Sequence, residues 1–123
     1  MNNYKILIAE DNILQAEAIS KILLDVNIEC TIVNSGIGVI EEYYSDYYNL
    51  IPLDILMPKM NGLVASKEIR KSNSIIPIIG FSSIPYQEIE QELADCGIND
   101  YLTKPRKLSD LKTKLQSYFK AAA

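Results

Sequence analysis

Short apolar runs alternate along this chain with longer stretches in which apolar positions recur every three or four residues. The runs at residues 5–9, 28–33, 49–53, 77–81 and 100–102 have strand length and carry several β-branched side chains. Between them the spacing becomes helical. Ile19, Ile22, Leu23 and Val26 follow Asp11 and Asn12, both good N-cap types. Val39, Ile40 and Tyr43 follow Ser35-Gly36, with Gly38 weakening the start of that helix. Ala65 and Ile69 follow Gly62. Ile89 and Leu93 lie between Pro85, a residue suited to a first helical turn, and Gly97, a natural stop. Leu108, Leu111, Leu115 and Phe119 mark a last amphipathic helix. Five strands alternating with five helices predict a single α/β domain, a parallel sheet covered on both faces and doubly wound by right-handed crossovers. Pro52 is the awkward residue, because a proline has no N–H to give to a ladder.

Composition narrows the function more than the fold. The 123 residues fit one domain, here 1–120, with Ala121 to Ala123 as a tail of no assigned role. A formal charge of −4 without any histidine argues against a nucleic-acid-binding face. No apolar stretch approaches the roughly 20 residues of a membrane span, and the N-terminus lacks a signal-peptide pattern. A cytoplasmic setting is expected, alone or as the cytoplasmic part of a membrane-bound kinase. Cys30 and Cys96 read as small buried apolar residues rather than a disulfide.

The candidate chemistry sits where the apolar runs end. The first runs into Glu10-Asp11, the third into Asp54, the fourth into Ser82 and the fifth into Lys104-Pro105. In open α/β sheets, ligands bind outside the carboxyl ends of the strands. Three acids gathered there repel one another, so a divalent cation is the natural resident, and magnesium is served by two carboxylates, a carbonyl and waters. A hydroxyl and an ammonium beside the metal can hold a dianionic phosphoryl group. Glu10, Asp11 and Asp54 total −3, and magnesium with Lys104 totals +3. Turning Asp54 into an acyl phosphate replaces −1 by about −2, which leaves the pocket near −1.

With Glu10-Asp11-Asn12, the stretch from Leu53-Asp54 through Met57-Pro58-Lys59-Met60-Asn61-Gly62, the segment 77–83 and Tyr101-Leu102-Thr103-Lys104-Pro105 in hand, the chain resembles the receiver domains of two-component response regulators, over about residues 5–119. The resemblance implies a flavodoxin-like sheet of order 2-1-3-4-5. It implies that Asp54 accepts a phosphoryl group from a phosphohistidine on a histidine kinase or histidine phosphotransfer protein, the domain catalysing its own phosphorylation. Asp11, Asp54 and the Leu56 carbonyl would ligate Mg2+ (or Mn2+), and Glu10 would hold a metal-bound water. Lys104 would pair with Asp54 and then with the phosphoryl oxygens, and the Lys104-Pro105 bond is commonly cis in the family. Ser82 and Tyr101 take the switch positions, Ser82 drawn to the phosphoryl group and Tyr101 turning inward, which changes the face of the fourth helix, fifth strand and fifth helix.

Four positions depart from the family pattern: Pro52, Gly80, Ser83 and Arg106. In that family, the side chains two places after the acceptor and two after the switch hydroxyl influence the in-line water that removes the phosphoryl group. At those places stand Leu56 and Ile84, neither able to hydrogen-bond water, so slow autodephosphorylation is expected. The rival from a different class is a receiver-like protein-binding module that is never phosphorylated, though such modules usually lack part of the acid set. An aspartate-nucleophile phosphatase would want an acid at Leu56, and a flavodoxin would not put Glu10-Asp11 against a phosphate.

Overall fold

The computed structural model describes residues 4–103 and 108–120. Its elements run β1 (Lys5–Ala9), α1 (Ile13–Asp25), β2 (Glu29–Val33), α2 (Gly36–Ser45), β3 (Ile51–Asp54), α3 (Gly62–Arg70), β4 (Ile78–Ser82), α4 (Tyr86–Asp95), β5 (Asp100–Thr103) and α5 (Leu108–Phe119). All strand pairs are parallel, in the order β2-β1-β3-β4-β5. This is the doubly wound architecture the alternation predicts.

Side chains of successive strand residues point to opposite faces, and the core divides accordingly. Leu7 and Ala9 of β1 join Ile51, Leu53, Ala65, Ile69, Ile78, Ile89 and Leu93 on one side. Ile6 and Ile8 join Ile19, Leu23, Leu50, Ile79 and Leu115 on the other. The first layer is covered by α2, α3 and α4, the second by α1 and α5.

Several boundaries differ from the sequence reading, each for a local reason. Asn12 alone caps α1, its Oδ1 accepting the Gln15 N–H at 3.0 Å, while Asp11 lies outside the cap. α1 is closed by Asn27 at φ 59°, a left-handed residue that also delays β2 by one position. Asn49 lies before β3 because its side chain, like a strand partner, accepts the Lys5 N–H at 2.8 Å. Asp54 and Ser82 are the last residues of their strands rather than the first residues beyond them. Pro85 occupies the N-cap of α4, one place before the first turn, and caps it without a side-chain hydrogen bond. Gly97 stops α4 at φ 76°, as expected. Cys30 and Cys96 are free and half-buried.

Pro52 stays inside β3 and is buried. The Ile51 and Ile55 N–H groups bond to Pro77 and Phe81, so alternate residues of this stretch face β4 and Pro52 faces β1. On that side pairing is recorded only at Ile6 with Leu50 and Ala9 with Leu53, whereas the β3–β4 register is continuous over four pairs. The missing N–H interrupts one ladder and leaves the end that carries Asp54 in place.

Candidate phosphoacceptor site

The acidic site is assembled by the two central strands. β1 ends at Ala9 opposite Leu53, so Glu10, just past β1, and Asp54, the last residue of β3, emerge side by side. The Glu10 N–H continues the ladder to the Val33 carbonyl at 3.0 Å. Its carboxylate turns toward the start of α1, where Oε2 accepts the Asn12 N–H at 3.2 Å. The Asp54 Oδ1 accepts the Leu56 N–H at 3.1 Å. Glu10 and Asp54 are buried and Asp11 is exposed. One carboxylate oxygen from each of the three lies within 4.8 Å of the others.

That donor set is all oxygen and all anionic, the chemistry a hard cation such as Mg2+ requires and a soft one does not favour. Three carboxylates at this spacing repel one another, and a positive charge among them relieves that repulsion. The residues present fit a divalent cation.

Gly62 matters here through its lack of a side chain. A Cβ on it would sit 2.6 Å from the Asp54 carbonyl oxygen, and its N–H closes the β3–α3 loop onto the Ile55 carbonyl at 2.8 Å. The sequence marks it only as a helix start. Within the loop Lys59 adopts φ 66°, an uncommon conformation for a residue with a Cβ.

Ser82, buried at the end of β4, accepts the Ile84 N–H on its Oγ at 3.2 Å. Tyr101 is half-buried and donates its hydroxyl to the Ile84 carbonyl at 2.6 Å. Its ring lies 6.0 Å from that of Tyr86. Burial raises the Tyr101 phenol above its ordinary value, a hydrogen bond with Ser82 opposes this, and the Asp54 charge adds to it. Tyr101, Ser82 and Ile84 therefore form one linked group within electrostatic range of Asp54. The hydroxyl's anchor on the Ile84 carbonyl had no signal in the sequence. Ile84 is half-buried, whereas the Leu56 side chain is 53% exposed at the rim. Thr103 pairs with Ser82 in the β4–β5 register. Lys104, Pro105 and Arg106, and with them the expected cis bond, lie outside the described residues.

The family described as response regulator receiver domain matches residues 6–116. The chain is 35% identical over 120 residues to hybrid signal transduction histidine kinase G of Dictyostelium discoideum, an alignment that takes in 93% of this chain and 4% of the kinase. It spans a tenth or less of the curated histidine kinases it matches. Among solved structures, a Francisella response regulator receiver domain superimposes with a TM-score of 0.88 at 28% identity, covering 98% of this chain and all of that one. The receiver domain of a Pseudomonas aeruginosa sensor histidine kinase, solved with a magnesium ion coordinated in its active site cleft, gives 0.84 at 29% identity, covering 97% and 99%. The chain belongs to the response regulator receiver domain family, the receiver module of two-component signal transduction.

Proposed function

We propose that residues 1–120 act as a phosphorylation-dependent signalling switch with Asp54 as the phosphoacceptor. The observation that carries this reading is the meeting of Glu10, Asp11 and Asp54 within 4.8 Å at the carboxyl end of the sheet. In the transfer, an Asp54 carboxylate oxygen forms a bond to phosphorus as the phosphorus–nitrogen bond of a phosphohistidine breaks. The imidazole on the kinase or phosphotransfer protein leaves with the electron pair and takes up a proton. The chain's task is in-line positioning and charge neutralisation. The Leu56 N–H orients the acceptor by holding one carboxylate oxygen. Asp11, Asp54 and the Leu56 carbonyl would hold Mg2+, or Mn2+ in its place, with Glu10 holding one of its waters. When bound, the cation offsets the carboxylate charge and the charge arriving on the phosphoryl oxygens. Lys104 would supply the second positive charge.

Ser82 and Tyr101 would convert that charge into a change of surface. A phosphoryl oxygen offers the Ser82 hydroxyl proton an acceptor, and movement of Oγ toward it would draw Oγ away from the Ile84 N–H it accepts in the turn after β4. Movement of that turn reaches Tyr101 through the Ile84 carbonyl, and through Tyr101 the face of α4, β5 and α5. The Leu56 and Ile84 side chains offer no polar group to a hydrolytic water, which fits slow autodephosphorylation. Among the described residues no helix is long and apolar enough to cross a membrane, and a cytoplasmic site of action belongs to this proposal.

Incubation with acetyl phosphate and Mg2+, followed by intact-mass measurement, tests the reading. Wild type gains one phosphoryl group, Asp54→Asn gains none, and chelation abolishes the gain. A wild type that stays unmodified would favour the binding-module alternative.

A further inference from the structure

The turn that joins the end of β2 to the start of α2, residues 33–36, carries no charged side chain, and the mechanism above gives it no part. It nevertheless touches both loops that bear the acids. On one side the Val33 carbonyl accepts the Glu10 N–H at 3.0 Å. On the other the Gly36 N–H donates to the Met60 carbonyl, also at 3.0 Å. The second contact has no slack, since a Cβ on Gly36 would lie 2.1 Å from the Met60 oxygen and 2.7 Å from its carbonyl carbon.

The turn itself is held firmly. Ser35 is buried and caps α2, its Oγ accepting the Gly38 N–H at 3.0 Å. The loop it presses on is short and doubly tied, by Gly62 N–H to the Ile55 carbonyl and by Leu56 N–H to Asp54 Oδ1. Its one left-handed residue, Lys59, adjoins Met60. A displacement of Met60 therefore has few free dihedrals to absorb it before Leu56 and Asp54 move.

We infer that the 33–36 turn is a bracket that sets the spacing between Glu10-Asp11 on one loop and Asp54-Leu56 on the other, with Gly36 a positioning residue for the cation and phosphoryl site. The inference deepens the proposed function and rests on it. Cation affinity depends steeply on ligand spacing, and residues behind a ligand commonly change it by about 10- to 100-fold.

The test titrates Mg2+ calorimetrically into the unphosphorylated protein and follows urea unfolding in parallel. Gly36→Ala weakens Mg2+ binding about tenfold or more. Ser66→Ala removes a buried hydroxyl that donates to the Cys96 carbonyl at 2.7 Å, a contact outside the 33–36 turn and both acid-bearing loops, so it loses stability and keeps Mg2+ affinity within about twofold of wild type. Wild-type affinity in Gly36→Ala, or the same loss in both variants, overturns the bracket. Amide hydrogen exchange on the wild type decides the matter even if Gly36→Ala does not fold. Mg2+ slows exchange at the Gly36 amide, which ties the turn to the β3–α3 loop through the Met60 carbonyl, more than at the Gly38 amide, which bonds to Ser35 Oγ. Equal slowing overturns the inference. A wild type that neither binds Mg2+ nor accepts a phosphoryl group sinks the proposed function along with the bracket. One that does both, with Gly36→Ala unaltered, sinks the bracket alone.

Discussion

Removing one charge from the acidic cluster should make the metal-free protein more stable and the metal-loaded protein less so. Asp11→Asn is the cleanest way to do this, since Asp11 is the exposed member and its loss opens no cavity. Its carboxylate lies within 4.8 Å of those of Glu10 and Asp54. At water's dielectric constant each such pair repels by about 0.9 kcal/mol. Two pairs, reduced by screening in 0.15 M salt, leave about 1 kcal/mol. For a domain of this size that is a rise of about 3–5 °C in Tm. In Mg2+ the order reverses, because a ligand present at ten times its Kd stabilises the binder by about 1.4 kcal/mol, and the variant has lost a ligand. Thermal unfolding followed by circular dichroism, once in EDTA and once in excess Mg2+, gives four midpoints. The variant should melt above wild type in EDTA and below it in Mg2+. A variant less stable than wild type in EDTA would show that the carboxylates do not repel as placed, and equal Mg2+ shifts for both proteins would remove Asp11 from the cation site.

Three further outcomes follow from other parts of the structure. Gly62→Ala forces a Cβ to within 2.6 Å of the Asp54 carbonyl and 2.9 Å of the Ile55 Cα, and overpacking against backbone plus a strained loop hydrogen bond should cost about 2–4 kcal/mol in urea unfolding; an unchanged midpoint contradicts the close approach. Leu56→Asn and Ile84→Glu each give the attacking water a polar partner, so both should lose phosphate faster than wild type once the donor is removed, by phosphoprotein half-life, and equal half-lives would refute the apolar shield. Tyr48 and Tyr118 are both pushed up to about 12, mainly by burial, with Glu42 and Asp100 as their acidic neighbours. The folded state therefore keeps protons that the unfolded chain releases near 10. Stability is fully present below pH about 10 and falls as pH rises toward about 12, readable as a declining urea midpoint alongside tyrosinate absorbance; a midpoint flat across that window would argue against buried phenols.

Much of this protein was legible in its sequence because the signals are local. Apolar period two or three to four fixes element type, Asn12 and Ser35 cap helices through side chains one turn away, and Gly97 stops α4 by its own φ. The placing of Glu10 and Asp11 beside Asp54 was also legible, because carboxylates that follow neighbouring parallel strands emerge at one edge. What sequence could not supply was any contact between loops distant in the chain. That Gly36 abuts Met60, that Gly62 must clear the Asp54 carbonyl, that Tyr101 is anchored on the Ile84 carbonyl, and that Pro52 turns its missing N–H toward β1 all depend on where backbones meet after the sheet is assembled. A residue's type constrains its own dihedrals and its helical or strand neighbours; the distance between two loops is decided only when the strands beneath them are in register.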